Sequence, residues 1–392
     1  VHPLVWLTWA ALTPMPALSE TMLNASGSAI YEAQSNVYGL APGSPLPGTT
    51  DTRHGDEIAT ASGNLQTSYD WHQDSVYLDV NGSDVRYDRL TYLDHSEYGF
   101  DGGLNWALDG KVLGGTIDIS RSRSMVPFFT LIQQQQQLVL MTQQRERATL
   151  NFLVTPDWRI SADVHKSSVD APVQSAAGLS NGESGGGLQL TYLRGGNLTG
   201  GLAASYSTGD YGGVNTAVAA PYRQESVDLT STYTVTARTS FTGQVGYTRR
   251  TSESDIDTAA GVNGSLNYVR TLTPKTSLNL SVSRNVVTNV TNTGSEVDAT
   301  AGAGLNYRAT YKITLKAAYN WTNRFLPGQG TVIGTNRDDR QQFASFDMNY
   351  QWLRWLSIRA YANYQTRSSD AAGADFNGTV YGIAATATWR RP

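Results

Sequence analysis

The feature that most constrains this chain is an alternation of apolar and polar residues with period two. It repeats, with turns between, from about Ser26 to the C-terminus. Ile313-Thr-Leu-Lys-Ala-Ala-Tyr-Asn-Trp321 places Ile313, Leu315, Ala317, Tyr319 and Trp321 on one face and Thr314, Lys316, Ala318 and Asn320 on the other. Ser357, Arg359, Tyr361 and Asn363 oppose the apolar row of the segment Leu356–Tyr364. Phe346, Met348, Tyr350 and Trp352 alternate with Asp347, Asn349 and Gln351, and Leu278, Leu280 and Val282 with Asn279, Ser281 and Ser283. Successive strand residues point to opposite faces, so this pattern predicts strands, and no segment shows a competing helical period.

The turns fall into two classes. Short ones read Trp71–Asp74, Leu108–Lys111, Thr155–Trp158, Arg194–Asn197, Thr236–Thr239, Leu272–Lys275, Ala309–Lys312 and Leu353–Trp355, several carrying Gly, Pro or Asp. Longer connections lie between them, at Ala41–Arg53, Ser124–Gln136, Ser168–Asn181, Asp210–Tyr222 and Pro327–Asp338. Eight hairpins and one further strand at each end, near Ala29–Asn36 and Val380–Trp389, give about 18 strands, with 16 as the alternative even count. A soluble sandwich or propeller would bury its apolar face in a core of Val, Ile, Leu and Phe. Here that face is thin, rich in Ala, Gly and Tyr, and the other is Asn, Ser, Thr and Gln. The pattern predicts an all-β fold, a transmembrane antiparallel up-and-down barrel of the outer-membrane type, lipid outside and water inside.

Composition removes the competitors. A mean hydropathy of −0.34 and 40% apolar residues leave no room for several helices of about 20 apolar residues each. There are 29 Lys and Arg against 33 Asp and Glu, a net charge of −4. A nucleic-acid partner is therefore not expected, because it calls for a basic footprint. The absence of cysteine excludes disulfides, thiolate nucleophiles and Cys-ligated metals.

Tryptophan placement supports the barrel. Trp71, Trp106, Trp158, Trp352, Trp355 and Trp389 lie at or near a short turn or the C-terminus, whereas Trp321 falls toward the other end of its strand. Indole rings prefer the headgroup level, so the six are expected to form an aromatic girdle on one rim. At the other extreme of the chain, Val1–Leu12 has the length of a signal-peptide apolar region, and Ala17-Leu18-Ser19 offers a small-x-small cleavage pattern. Residues 1–19 are read as an export signal lacking a Lys or Arg near its start, and residues 20–392 as a single barrel domain.

The strand motifs resemble the outer-membrane β-barrels encoded in bacterial exopolysaccharide synthesis and export operons, including the exosortase-associated type. The likeness is clearest at Tyr31-Glu-Ala-Gln-Ser-Asn-Val37 and Val85-Arg-Tyr-Asp-Arg-Leu-Thr-Tyr-Leu-Asp94, with Tyr98-Gly99 beyond. It continues at Leu272–Asn285 and Tyr350–Ile358. Gln34 stands where that family often has an acidic residue, and the chain closes on Trp389-Arg-Arg-Pro392 rather than on an aromatic. The resemblance implies an outer-membrane role in polysaccharide secretion. Lipid and lipopolysaccharide, a polysaccharide substrate and periplasmic or inner-membrane synthesis components would be the partners. It brings no catalytic residues and no cofactor.

The residues themselves offer little for enzyme chemistry. The histidines beyond the leader are His54, His72, His95 and His165, with no His-x-x-x-His pair. Gly182-Glu-Ser-Gly-Gly186 matches Gly-x-Ser-x-Gly but is read as part of a Gly-rich loop, without the strand-to-helix turn of a nucleophile elbow. Gly185–Gly187 is read as loop flexibility and Gln133–Gln137 as a solvated outer loop. A hydrolase would have to rest on His165, which shares a polar face with Arg159, Ser161 and Asp163.

Strand parity places Asp79, Asp101, Asp118, Arg147, Arg159, Asp163, His165, Asp228, Lys316, Asp347, Arg359 and Tyr361 on the inner face. Both signs are present. A basic lumen would favour acidic solutes, whereas mixed charge among Asn, Ser, Thr and Gln suits hydroxyl-rich, neutral or weakly charged glycans. The leading expectation is a channel for exopolysaccharide export by passive guidance. A general sugar or solute porin and a closed structural or adhesive barrel are the alternatives.

Overall fold

The computed structural model describes residues 19–108, 112–130, 135–171, 179–193, 196–212, 221–252, 259–289, 294–326, 336–371 and 373–391. The expected leader therefore lies outside the described residues save for Ser19, as do parts of the short turns at 108–111 and 194–197.

The strands run in chain order as β1 (Ser19–Gln34), β2 (Asp56–Trp71), β3 (Asp74–Tyr87), β4 (His95–Leu108), β5 (Leu113–Thr130) and β6 (Gln135–Thr155). They continue as β7 (Trp158–Ala171), β8 (Leu179–Tyr192), β9 (Leu198–Gly212), β10 (Tyr222–Thr236), β11 (Thr239–Ser252) and β12 (Ala259–Thr273). The last six are β13 (Thr276–Asn289), β14 (Gly294–Arg308), β15 (Ile313–Leu326), β16 (Arg337–Leu353), β17 (Leu356–Ser369) and β18 (Phe376–Arg391). Each pairs antiparallel with its sequence neighbours, and β1 pairs with β18 as well as β2, so one 18-stranded sheet closes on itself. The count is the 18 read from the turns, not 16.

Closure explains how a polar chain forms this sheet. Among the described residues every strand has a partner strand on both sides, so the sheet has no open edge strand. Small register shifts sit beside short turns, at Leu153/Thr155, Thr234/Thr236, Thr271/Thr273 and Gln351/Leu353.

The two faces differ as the alternation predicts. On the outer face Leu188, Leu229, Val245 and Ile117 are more than half exposed, at 63%, 56%, 53% and 52%. A belt of such residues passing round a closed wall is far larger than the apolar patches soluble proteins expose, and its natural surroundings are lipid tails. The largest buried apolar cluster among the described residues joins the β1–β2 and β3–β4 connections instead. It comprises Tyr38, Leu40, Leu46, Leu90 and Leu93. Asp56 ties it to the wall, accepting hydrogen bonds from the backbone N–H of Leu90 (2.7 Å) and Arg89 (3.0 Å).

Three local expectations are corrected. The connection read as Ser124–Gln136 is mostly strand, because β5 runs on to Thr130 and β6 starts at Gln135. Gln135, Gln136 and Gln137 pair with Thr130, Phe129 and Phe128, while Gln133 and Gln134 lie outside the described residues. Gly182–Gly186 and Gly185–Gly187 belong to β8, not to a loop. Glycine serves close packing there: a Cβ on Gly185 would stand 2.6 Å from the Tyr206 carbonyl and 2.7 Å from Ser207 Cβ, and one on Gly186 2.7 Å from the Asp163 carbonyl.

Candidate functional site

The inner wall is built by register. Facing residues of an antiparallel pair share a face, so the ladders carry one polar surface from strand to strand. Its background is small hydroxyl and amide groups bonded across strands. Ser28 and Ser62 meet at 2.6 Å, Ser205 and Ser226 at 2.7 Å, and Thr300 and Thr322 at 3.1 Å. Asn105 Nδ2 donates to Ser75 Oγ at 3.0 Å and Ser161 Oγ to Asn151 Oδ1 at 2.6 Å.

The charged residues stand on this surface in groups. Asp79 faces Asp101 across β3 and β4, and accepts from Asn64 and, at 2.6 Å, from Gln66 Nε2. Asp101 faces Ser120 on β5. Asp118 accepts from the Tyr77 hydroxyl at 2.8 Å and faces Arg147 across β5 and β6. Arg147 in turn lies 3.6 Å from Asp163. His165 Nδ1 is 3.3 Å from Asp163 and its Nε2 3.7 Å from Glu183. Asp228 accepts from Asn263 Nδ2 at 2.9 Å and from Ser226 Oγ at 3.2 Å. Arg159 faces Leu153 and Thr191.

On the far side Lys316 faces Asp347, which is bonded by Arg359. The Arg359 guanidinium stands 4.7 Å from the centre of the Tyr361 ring, and the Tyr361 hydroxyl donates to Glu32 at 2.6 Å. Tyr361 thus bridges β18, because its register partner there is Gly382, where a Cβ would overlap the ring.

The register also separates the elements a hydrolase would need. Ser184 pairs with Lys166 and His165 with Gly185, so Ser184 and His165 point to opposite faces of the wall.

Some of the densest contacts of the inner wall were not singled out from sequence. Arg337 makes a two-pronged pair with Asp339 at 2.8 and 2.6 Å, both side chains almost wholly buried. Arg324 reaches Asp298 at 3.0 Å and Glu296 at 3.3 Å. The Tyr222 hydroxyl donates to Glu183 at 2.6 Å beneath Arg250, whose guanidinium is 3.4 Å from the ring centre. The signal that could have found the first pair is the alternation Arg337, Asp339, Gln341, Phe343, Ser345, Asp347, which continues the inner row of β16 into a segment read as loop.

The tryptophans gather at the short-turn rim. Trp71 ends β2, Trp106 lies near the end of β4 and Trp158 opens β7, its ring 5.0 Å from that of Tyr192. Trp352, Trp355 and Trp389 flank the last short turn and the end of β18, each more than half exposed. Trp321 is on the same outer face in the other half of the wall.

Comparison with known proteins agrees with this architecture. The family model described as "Putative beta-barrel porin 2" matches residues 244–388, from β11 to β18. The sequence has no significant match among curated proteins. The fold is similar to that of the outer membrane protein OpdK of Pseudomonas aeruginosa, with a TM-score of 0.52 at 11% identity over 94% of this chain and 99% of that one. OccK2 (OpdF) of the same organism gives 0.51 at 10% identity, covering 94% and 98%. Acinetobacter baumannii OccAB3 gives 0.51 at 9%, covering 94% and 100%. At such identities the likeness establishes the fold alone, a closed antiparallel β-barrel.

Proposed function

We propose that the chain is a bacterial outer-membrane channel that lets hydroxyl-rich, neutral or weakly charged solutes cross by passive guidance. The observation that carries this reading is the inner wall: a continuous surface of Ser, Thr, Asn, Gln and Gly whose charges are of both signs and mostly hydrogen-bonded or paired with neighbouring side chains. Many weak hydrogen-bonding positions allow a solute to be held briefly and released, whereas strong isolated charges would trap it. The tryptophans of the short-turn rim form the periplasmic girdle in this reading, and the long connections face the cell exterior, towards lipopolysaccharide.

The finer form of the proposal is export of an exopolysaccharide, favoured by the likeness of the strand motifs to barrels of polysaccharide operons. The driving force would come from synthesis or from an inner-membrane partner. Single-channel recording in planar bilayers is expected to show stepwise ion conductance with transient blocks by added oligosaccharides. A barrel that inserts but never conducts would overturn the channel reading and favour a structural role. Export has its own test. A deletion strain is expected to accumulate glycan inside the envelope, and unchanged polymer secretion would reduce the proposal to a general solute porin.

A further inference from the structure

Under the long-loop rim, the wall formed by β15–β18 and β1 opens into a cavity of about 460 Å³, within the usual range for small-molecule sites. Phe343 of β16 and Phe376 of β18 contribute rings to it. Gln341, Asn363 and Gln365 contribute side-chain amides, and Phe343 faces Gln365 directly in the β16–β17 ladder. None of these three amides is engaged in a hydrogen bond with another described residue. Gly378 faces Gln365 from β18 and leaves the space beside it open as far as Asn36 Cβ, 3.5 Å from where a glycine Cβ would be. Asn36 itself is fixed, its Nδ2 donating to the carbonyls of Leu40 (2.8 Å) and Asn377 (2.9 Å).

The cations here are already engaged. Arg337 is paired with Asp339, and Arg324 with Asp298 and Glu296. Arg367 donates to the Ala374 carbonyl at 2.6 Å and lies 4.8 Å from the centre of the Phe376 ring. An anion would find its cations committed. A purely apolar solute would cover the amides without satisfying them, which is costly. A sugar ring meets both demands, since it has a C–H face for the aromatic ring and hydroxyls that donate and accept for the amides.

We propose that this cavity is a saccharide subsite in which a neutral sugar ring packs on Phe343 and is hydrogen-bonded by Gln341, Asn363 and Gln365. The proposal rests on the channel reading, naming the solute class for one place on its wall, and its test separates the two. Binding of maltohexaose, cellohexaose and chitohexaose to the full chain in detergent is measured by calorimetry, and unit conductance in KCl is recorded in parallel. At least one oligosaccharide is expected to bind. Phe343→Leu and Gln365→Leu should each weaken it by about three- to tenfold while heat-resistant mobility is kept. Lack of binding by all three, unchanged affinity in both variants, or displacement of the sugar by benzoate at equal concentration would overturn the subsite. Binding without conductance would leave the subsite standing and remove the channel.

Discussion

At the residue scale the inner wall is held by side chains that cross the strand seams, and Tyr361 is the clearest case. Its ring lies where Gly382 has no side chain, which lets its hydroxyl reach Glu32 on β1. Gly382→Ala is expected to push the ring away and break that bond. The cost should be about 1–3 kcal/mol, as for other overpacked sites, read as a lower midpoint of urea unfolding in lipid vesicles. Tyr361→Phe, which keeps the ring and loses the hydroxyl, should cost less. That Tyr361 shares the polar row of its strand with Arg359 and Asn363 was legible from parity alone. Its bond to Glu32 was not, because it spans the closure of the barrel and strand pairing across that seam leaves no trace in local sequence.

At the element scale, period two reads out strands only where the two faces meet different media. A strand needs about 9–11 residues to cross the hydrocarbon, yet β5 has 18 and β6 has 21. Beyond the membrane both faces meet water, the alternation fades, and Gln135–Gln137 and Leu179–Gly187 read as loop although they are paired. The short turns were legible because each interrupts the alternation for only a few residues, several of them Gly, Pro or Asp. The β1–β2 connection has its own electrostatics. Hydrogen bonds from the Arg53 side chain and backbone hold the Asp51 carboxyl down at about 2, and Arg89 reaches the same carboxyl at 2.8 Å. A lowered value means that Asp51 stabilises this connection above its ordinary range near 3.8 and loses that effect only as the pH falls through about 2. Carboxyl carbon shifts of Asp51 are expected to stay those of the ionised form at pH 3.5. A midpoint near 4 would show that the pair is not formed in solution. The rim tryptophans have an equally direct test. Lipids brominated near the headgroup should quench emission more than lipids brominated at the chain ends, and the reverse order would contradict a girdle.

At the scale of the whole molecule the division between the two surfaces is the main energetic fact. Leu229 and Thr230 are adjacent in β10 and lie on opposite faces, Leu229 exposed on the outside and Thr230 facing Gly201 and Gln244 on the inner wall. Leu229→Arg is expected to destabilise the barrel in bilayers by about 2–4 kcal/mol if it lies near mid-depth, whereas Thr230→Arg should be nearly neutral. Equal effects in unfolding titrations would mean that inside and outside are wrongly assigned.

The seam between β1 and β18 brings Asn24 opposite Arg390, two residues separated by almost the whole chain. The pairing that completes the wall is therefore also the most distant along the sequence, and no local hairpin can substitute for it. A nascent form lacking β18 would carry two open edges, those of β1 and β17, each able to recruit a strand from another molecule. Contacts this remote in sequence form slowly, because loop-closure entropy must be met before they contribute. Protection of the open edges until the last strand arrives becomes a requirement on the cell rather than a property of the chain.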